Sequence, residues 1–593
     1  MISNVKACVL QGLNGYRIDV ETDLTNGLPA FNIVGLPDVS IKESKERVRS
    51  ALTNSGFDFP LSRITVNLSP ASIKKEGSQL DLPIALGILT AKGDIGSVEE
   101  DICFIGELSL DGNIKSINGV LPMVISLRDL GISKVYIPMD NKEECSYISD
   151  MEIYAMESLT ELVNHLTKKD VKPPIQVRDF NHNPSTHDYD MDFFEVKGQE
   201  SLKRAVEIAA SGSHNILIIG SPGSGKTMIA KCIPSILPEL TFEESLEITK
   251  IYSVAGLNKE QGLIRQRPFR SPHHTISKVA LAGGGRIPGP GEISLSNYGV
   301  LFLDEMPEFS KNALEVLRQP LEDGIVTIAR ANASLQYPSK FMLVASMNPC
   351  PCGFYGDSKR ECKCSPGQID RYLNRISGPL LDRIDIQIEA SPVVYEDLKS
   401  TQASETSENI RIRVNQARKI QAERYKSLDI HANGELNPAQ IKKYCRLTKE
   451  AEEILKLSYK KLSLSVRAYS KIIKVARTIA DLDGCDFVFR EVGSTTRQAF
   501  EAFLERNGVK VRCVLEMGSR EAVREAVAQG IGLGVVSDAA YVPDLRLVQL
   551  DVSTPGLSTH AHVICLQERV TAPLVREFLQ VSEALRVSFG KTS

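Results

Sequence analysis

A multidomain α/β chain organised around a parallel-sheet core is the fold class this sequence predicts, and three observations predict it. An apolar run, Asn215-Ile-Leu-Ile-Ile219, leads into a glycine-rich loop and then a helix start, Met228-Ile-Ala-Lys-Cys-Ile. A second apolar run, Val300-Leu-Phe-Leu, stops at two adjacent acids, Asp304 and Glu305. Strand–loop–helix units of this kind build parallel sheets with helices on their faces. The third observation is a break in composition: residues 1–484 hold 34 Lys and 24 Arg, whereas residues 485–593 hold 2 Lys and 10 Arg. Lys and Arg meet the same physical need at a surface, so this switch marks segments of different coding history. With 593 residues, three or four domains are expected.

Five segments follow from periodicity and composition. Residues 1–167 mix alternating strands with helices, an α+β pattern, and end in an amphipathic helix predicted over Ala155–Leu166. Residues 168–190 are polar, contain prolines and lack periodicity, which predicts a linker. Residues 191–392 carry the parallel core, including a further strand, Phe341-Met-Leu-Val-Ala-Ser-Met-Asn348. Residues 393–484 are charged and helical in period; helices are predicted at Asn409–Tyr425, Pro438–Tyr444, Lys449–Lys460 and Val466–Asp483, together a helical lid. Residues 485–593 are the compositionally distinct tail.

The loop Gly220-Ser221-Pro222-Gly223-Ser224-Gly225-Lys226-Thr227 has the spacing G-x-x-x-x-G-K-T in the strand-to-helix setting where that spacing carries chemistry. Loop N–H groups and the helix N-terminus cradle phosphate oxygens, Lys226 reaches the β- and γ-phosphates, and Thr227 ligates Mg²⁺. Asp304 would hold the same Mg²⁺ and Glu305 would polarise the attacking water. Together the motifs predict a nucleotide hydrolase. Asn348, ending the next strand, is placed as a polar sensor of the γ-phosphate or the attacking water. Arg383, in Gly378-Pro-Leu-Leu-Asp-Arg-Ile-Asp, is placed to reach a neighbouring subunit's nucleotide as an arginine finger. Arg467, at the start of the last lid helix, is placed to contact the γ-phosphate in cis.

Twelve cysteines are present, four of them in one cluster, Cys350-Pro-Cys352 and Cys362-Lys-Cys364. Four thiolates round a short loop suit a closed, structural Zn²⁺ site, one that would pin the loop between Asn348 and Arg383. Scattered placement of the rest argues for a reducing compartment over a disulfide framework. Net charge is −4, so no global basic field points to nucleic acid, and any such contact must come from local patches. The opening Met-Ile-Ser-Asn-Val-Lys lacks a signal-peptide apolar region and no run of eighteen apolar residues occurs. A cytoplasmic protein with no membrane partner is expected.

Six further strings carry a family resemblance: Gly35-Leu-Pro-Asp-Val-Ser, Asn67-Leu-Ser-Pro-Ala, Gly77-Ser-Gln-Leu-Asp-Leu-Pro-Ile-Ala, Arg267-Pro-Phe-Arg-Ser-Pro-His-His-Thr, Asn348-Pro-Cys-Pro-Cys-Gly and Val475-Ala-Arg-Thr-Ile-Ala-Asp-Leu. Through them residues 1–484 resemble the magnesium-chelatase-like AAA+ ATPases of the ComM/YifB family. The resemblance implies ATP and Mg²⁺ as cofactors, a homo-hexameric ring and, in the competence branch, a helicase driving branch migration on branched or single-stranded DNA. It also implies that the hairpin containing Arg330, between the acidic strand and the sensor strand, faces a central pore. A basic insertion bearing Arg267, Arg270, Lys278 and Arg286 joins Arg330 as candidate phosphate contacts. Residues 1–167 resemble the Lon-protease-type fold related to ribosomal protein S5 domain 2, without its Ser–Lys dyad: Gln79 follows Ser78, and Leu121 stands where the lysine would be. The tail, from Phe487-Val-Phe-Arg-Glu-Val-Gly through Leu533-Gly-Val-Val-Ser, resembles one lobe of a LysR-type effector-binding domain, a periplasmic-binding-protein-like α/β fold. Alternative readings are a magnesium-chelatase motor subunit, a protein-remodelling ATPase, and a ring controlled by the tail as ligand sensor.

Overall fold

The computed structural model describes residues 2–180, 189, 191–258, 262–285, 288–330, 333–357, 360–391, 404–428, 430–462, 464–483, 486–506, 511–529, 533–535 and 546–547. Two units separate, Met1–Leu482 and Asp483–Ser593. Arg286 and the segment 392–403 lie outside the described residues, as do 181–188 and 190 of the expected linker.

In the first unit, alternation builds one sheet and unbroken apolar runs build another. The long strands β1 (Ile2–Gln11) and β2 (Asn14–Thr25) pair antiparallel from Ile2 opposite Asp23 to Gln11 opposite Asn14. They turn through Gly12, whose φ of 66° a glycine adopts without strain. With β3 (Ala30–Val34), β4 (Arg63–Ser69), β5 (Ile102–Phe104), a small pair β6 (Glu107–Leu108) and β7 (Ile114–Lys115), β8 (Lys134–Pro138) and β9 (Glu152–Met156), they complete the region. The main sheet runs β3-β4-β2-β1-β5-β8-β9, and β6–β7 form a separate hairpin. The helix Asp81–Lys92 is apolar almost all round and accordingly buried all round, packing on β1 and β2.

The helix expected over Ala155–Leu166 begins later. Residues 155 and 156 finish β9, and the helix is Leu159–Leu166. Ser158 sets its start by accepting a hydrogen bond from Glu161 N–H. Within the expected linker, Ile175 N–H donates to Ile153 O at 2.8 Å, so this stretch lies along the outer edge of β9.

The second sheet joins β10 (Ile216–Gly220), β11 (Phe269–Arg270), β14 (Val300–Leu303), β17 (Met342–Met347) and β18 (Ile386–Ala390), all parallel, in the order β11-β14-β17-β10-β18. Between β11 and β14 lie the two-residue strands β12 (Gly283–Gly284) and β13 (Gly289–Pro290), and between β14 and β17 the antiparallel hairpin β15 (Ile325–Arg330) and β16 (Ala333–Pro338). Helices Glu200–Gly212, Lys226–Ile236 and Ser407–Arg424 close one apolar face of the sheet. The basic stretch read as an insertion thus contributes an edge strand: Phe269 stacks on Phe302, and this burial outweighs the polar residues around it.

The helices expected for the lid are observed at Ser407–Arg424, which packs on the sheet, and at Pro438–Tyr444, Lys449–Leu462 and Val466–Asp483. Buried Asp481 ties the first of them to the last by accepting from Arg424, and it also accepts from Arg477 of its own helix and from Asn433. No described helix is long and apolar enough to cross a membrane.

In the second unit, β19 (Asp486–Arg490), β20 (Arg512–Met517) and β21 (Leu533–Gly534) pair parallel in the order β20-β19-β21, with helices Thr495–Arg506 and Arg520–Ala528 packed on them.

Candidate nucleotide site

β10 ends at Gly220, and the loop after it turns straight into the helix Lys226–Ile236. Gly223 and Gly225 hold φ of 80° and 82°, a region that strains any residue with a Cβ. Gly220 is required for a different reason: a Cβ there would stand 2.7 Å from Ala390 O, at the end of the neighbouring β18. Lys226 Nζ donates to Gly220 O (2.8 Å), Ser221 O (3.0 Å) and Asn348 Oδ1 (3.3 Å). Burial lowers the pKa of this amine, while Asp304 and Glu305 raise it. The buried Ser224 hydroxyl has no hydrogen-bond partner among the described residues.

The acidic end of β14 faces this loop. Thr227 Oγ1 donates to Asp304 Oδ2 at 2.8 Å, so the two expected Mg²⁺ ligands already touch. Ser346 on β17 donates to the other oxygen, Asp304 Oδ1. Glu305 adopts a left-handed conformation, φ 51°, and its N–H donates to Asp304 Oδ1 (3.1 Å) and Ser346 Oγ (3.3 Å). Its side chain is exposed at the mouth of the site. The arrangement can hold a triphosphate on the loop, a divalent cation between Thr227 and Asp304, and a water beside Glu305.

Asn348 follows β17 directly and leads into the cysteines. Cys350, Cys352, Cys362 and Cys364 place their sulfurs within 4.8 Å of one another. Cys350 and Cys352 are 3.4 Å apart, and each is 3.6 Å from Cys362. A tetrahedral zinc with Zn–S of ~2.3 Å sets its sulfurs about 3.8 Å apart, so the cluster fits such an ion. Backbone donors from Phe354 and Lys363 draw the Cys352 thiol down to about 6, while burial and the neighbouring thiols push Cys364 up and Cys362 up to about 12. All ten described cysteines are free of disulfides.

Other predicted residues are held elsewhere. Arg383 pairs with Glu322 and donates to Pro379 O. Arg467 lies 3.8 Å from Asp382. Arg267 is committed inside the fold: its guanidinium donates to the carbonyls of Pro238, Tyr298 and Glu239 and to Glu244. Arg270 forms a two-pronged pair with Glu292 at 2.6 and 2.7 Å. Both guanidinium groups are thus paired with a carboxylate inside the chain, Arg267 the more deeply, at 8% against 31% side-chain exposure. Lys278 is exposed, and Arg330 ends β15 at the hairpin tip. Leu121 is fully buried in the helix Val120–Asp129 and Ser78 donates to Glu107; no amine is provided at position 121.

Sequence reading missed Ser346 and Gln199. Gln199 Nε2 donates to Ser224 O at 3.1 Å and to Ser391 O, bracing the phosphate loop from behind. Its φ of 62° follows Gly198, the only local hint of a turn there.

Comparison with known proteins agrees with this geometry. The family described as magnesium chelatase, subunit ChlI matches residues 192–398. Subunit ChlI of Mg-chelatase matches 20–141, and the ChlI C-terminal family matches 404–493. The LysR substrate binding domain matches 472–586. Competence protein ComM of Haemophilus influenzae is 43% identical over 487 residues, covering 81% of this chain and 93% of that protein. YifB of Escherichia coli is 40% identical over 484 residues, again 81% and 93%. Magnesium-chelatase subunit ChlI of Olisthodiscus luteus is 26% identical over 191 residues, 30% of this chain and 54% of that protein. The chain belongs to the ComM/YifB family of magnesium-chelatase-like AAA+ ATPases and carries a LysR-type substrate-binding segment in its C-terminal part.

Proposed function

We propose that this protein is an ATP-driven ring motor, a homo-hexamer, that migrates branched or single-stranded DNA during uptake and recombination. The observation that carries the reading is the placement of the β15–β16 hairpin. It is inserted between β14, which leads into Asp304, and β17, which leads into Asn348. Any displacement of those strands on hydrolysis is passed directly to the hairpin whose tip holds Arg330. Similarity to a competence protein over nearly its whole length supports the same reading. Residues 1–167 then serve as a Lon-like scaffold without protease activity, and 404–483 as the lid.

Within the site, Lys226 binds the β- and γ-phosphates, and Asn348 orients the γ-phosphate by donating its amide N–H or the water by accepting through the oxygen it now offers Lys226. Thr227 and Asp304 hold Mg²⁺, which neutralises charge developing on the transferred phosphoryl group. Ser346 fixes the Asp304 carboxylate so that its second oxygen faces Thr227. Glu305 takes up the proton of the attacking water. Arg383 acts across the subunit boundary once released from Glu322, and Arg467 acts in cis. The four cysteines hold a structural Zn²⁺.

Strand displacement on a forked or four-way DNA substrate with ATP tests the reading. Wild-type protein should show DNA-stimulated hydrolysis and unwinding. Arg330→Ala and Lys278→Ala should weaken DNA binding and flatten its salt dependence by about one charge each. Hydrolysis indifferent to every DNA substrate would instead favour a protein or porphyrin client.

A further inference from the structure

The loop that carries Arg383 is tied to the last lid helix, Val466–Asp483, directly through Lys471 and indirectly through His214. Lys471 Nζ donates to the carbonyls of Leu381 (3.3 Å) and Ile384 (2.8 Å), on either side of Arg383. Two turns further along the helix, Thr478 Oγ1 lies 2.8 Å from His214 Nε2, whose Nδ1 is 3.2 Å from Asp385. The His214 side chain and Thr478 are both fully buried. Asn215, beside His214, donates to Arg383 O at 3.0 Å and accepts from Leu343 N–H of β17 at 2.8 Å. Backbone and side chains on both flanks of Arg383 are thus referenced to the lid helix and to the sensor strand.

Charge makes this junction stiff. Burial opposes ionisation of Asp385, yet the His214 bond and the charges of Lys474 and Lys471 hold its carboxyl below the usual range. Lys471 loses some of its basicity to burial, with Asp385 and Asp382 countering. Sliding the loop along the helix would strand these half-buried groups without partners, which costs more than moving helix and loop together. Arg467 lies four residues before Lys471, on the same helix face, and pairs with Asp382 of the same loop.

We propose that Lys471, His214 and Thr478 are positioning residues for Arg383: they make the lid helix and the loop 378–385 one moving body. Closure of the lid over a chain's own nucleotide then sets where its Arg383 stands against the neighbour's nucleotide. The inference rests on the reading of Arg383 as a finger acting in trans, and the test separates the two.

Full-length Glu305→Gln protein, which should bind ATP but turn it over slowly, is mixed with Arg383→Ala protein, which keeps an intact nucleotide site. Hydrolysis recovered at mixed interfaces reports Arg383 of the first on the site of the second. Adding Thr478→Val or Lys471→Met to the Glu305→Gln chain should lower the recovered rate roughly tenfold or more, as a displaced transition-state contact does. Its affinity for a fluorescent ATP analogue and its melting temperature should stay close to the parent's. Thr478→Ser, which keeps the hydroxyl, should restore the rate. Recovery that is undiminished with folded Thr478→Val and Lys471→Met chains overturns the relay and leaves Arg383 in its trans role. A loss that Thr478→Ser fails to restore assigns position 478 to packing and likewise overturns it. No recovery from the parent pair, with assemblies formed, removes Arg383 from the trans role and the relay with it.

Discussion

Gly353 of the cysteine loop lies against Pro222 of the phosphate loop, so close that a Cβ added at 353 would stand 2.6 Å from Pro222 Cδ. Its φ of 85° also suits only glycine. The cysteine cluster therefore backs the phosphate loop as well as following the sensor Asn348. Gly353→Ala should weaken ATP binding about tenfold, a change of ~1.4 kcal/mol, while leaving the metal content as in wild type. Titration with a fluorescent nucleotide, beside metal analysis, checks this; unchanged affinity would mean that the two loops move independently.

Lys226→Ala should abolish tight ATP binding, because its three acceptors mark the point where the phosphates bring negative charge. Glu305→Gln should still bind ATP and lose about 10²–10³ in turnover, the usual cost of one transition-state contact. Ser346→Ala should fall between them, since Asp304 remains but one of its oxygens is no longer oriented. Equilibrium binding and steady-state hydrolysis, measured on the three variants together, separate these outcomes. Full turnover by Glu305→Gln would take the water-activating role away from it.

One zinc per chain is expected in protein purified without chelator. Removing it should lower the melting temperature and expose four titratable thiols, because a closed four-sulfur shell contributes directly to folding. Elemental analysis near zero, with all four thiols reacting freely from the outset, would refute the site.

Arg267→Met should destabilise the protein by about 2–4 kcal/mol, since it leaves Glu244 with only its capping bond from Thr241 N–H and takes the donor from three carbonyls, at a side chain that is 8% exposed. DNA affinity of the folded fraction should not change. Denaturant unfolding and a DNA-binding isotherm together test the pair of statements. Reduced affinity at intact stability would return Arg267 to the DNA surface.

The tail should be dispensable. The LysR substrate binding domain match, residues 472–586, takes in most of it, and it reads as a single lobe, which offers half of the contacts that a ligand cleft needs. Deleting residues 485–593 should leave DNA-stimulated hydrolysis within about twofold, as expected for a separately folded unit. A small molecule that raises the melting temperature through the tail, or loss of hydrolysis on truncation, would make it a working regulatory segment.

Local pattern determined much of this protein. A glycine spacing set between a buried strand and a helix located Lys226 and Thr227, and an apolar run ending in acids located Asp304 and Glu305. Those signals are readable because each motif's chemistry lies within a few consecutive residues. Helix periods placed Pro438–Tyr444 and Val466–Asp483 on their observed bounds for the same reason. Tertiary structure alone decided which charges are spent. Arg267 and Arg270 look like exposed cations in a basic stretch, yet Glu244 and Glu292, far enough away in sequence to give no local signal, absorb them. Ser346 is one polar residue in an apolar strand until β14 and β17 pair and bring it onto Asp304. The contact of Gly353 with Pro222, and the bonds from Lys471 and His214 to the Arg383 loop, join segments more than eighty residues apart. Such contacts depend on how the strands order themselves in the sheet, and strand order leaves no period in the sequence.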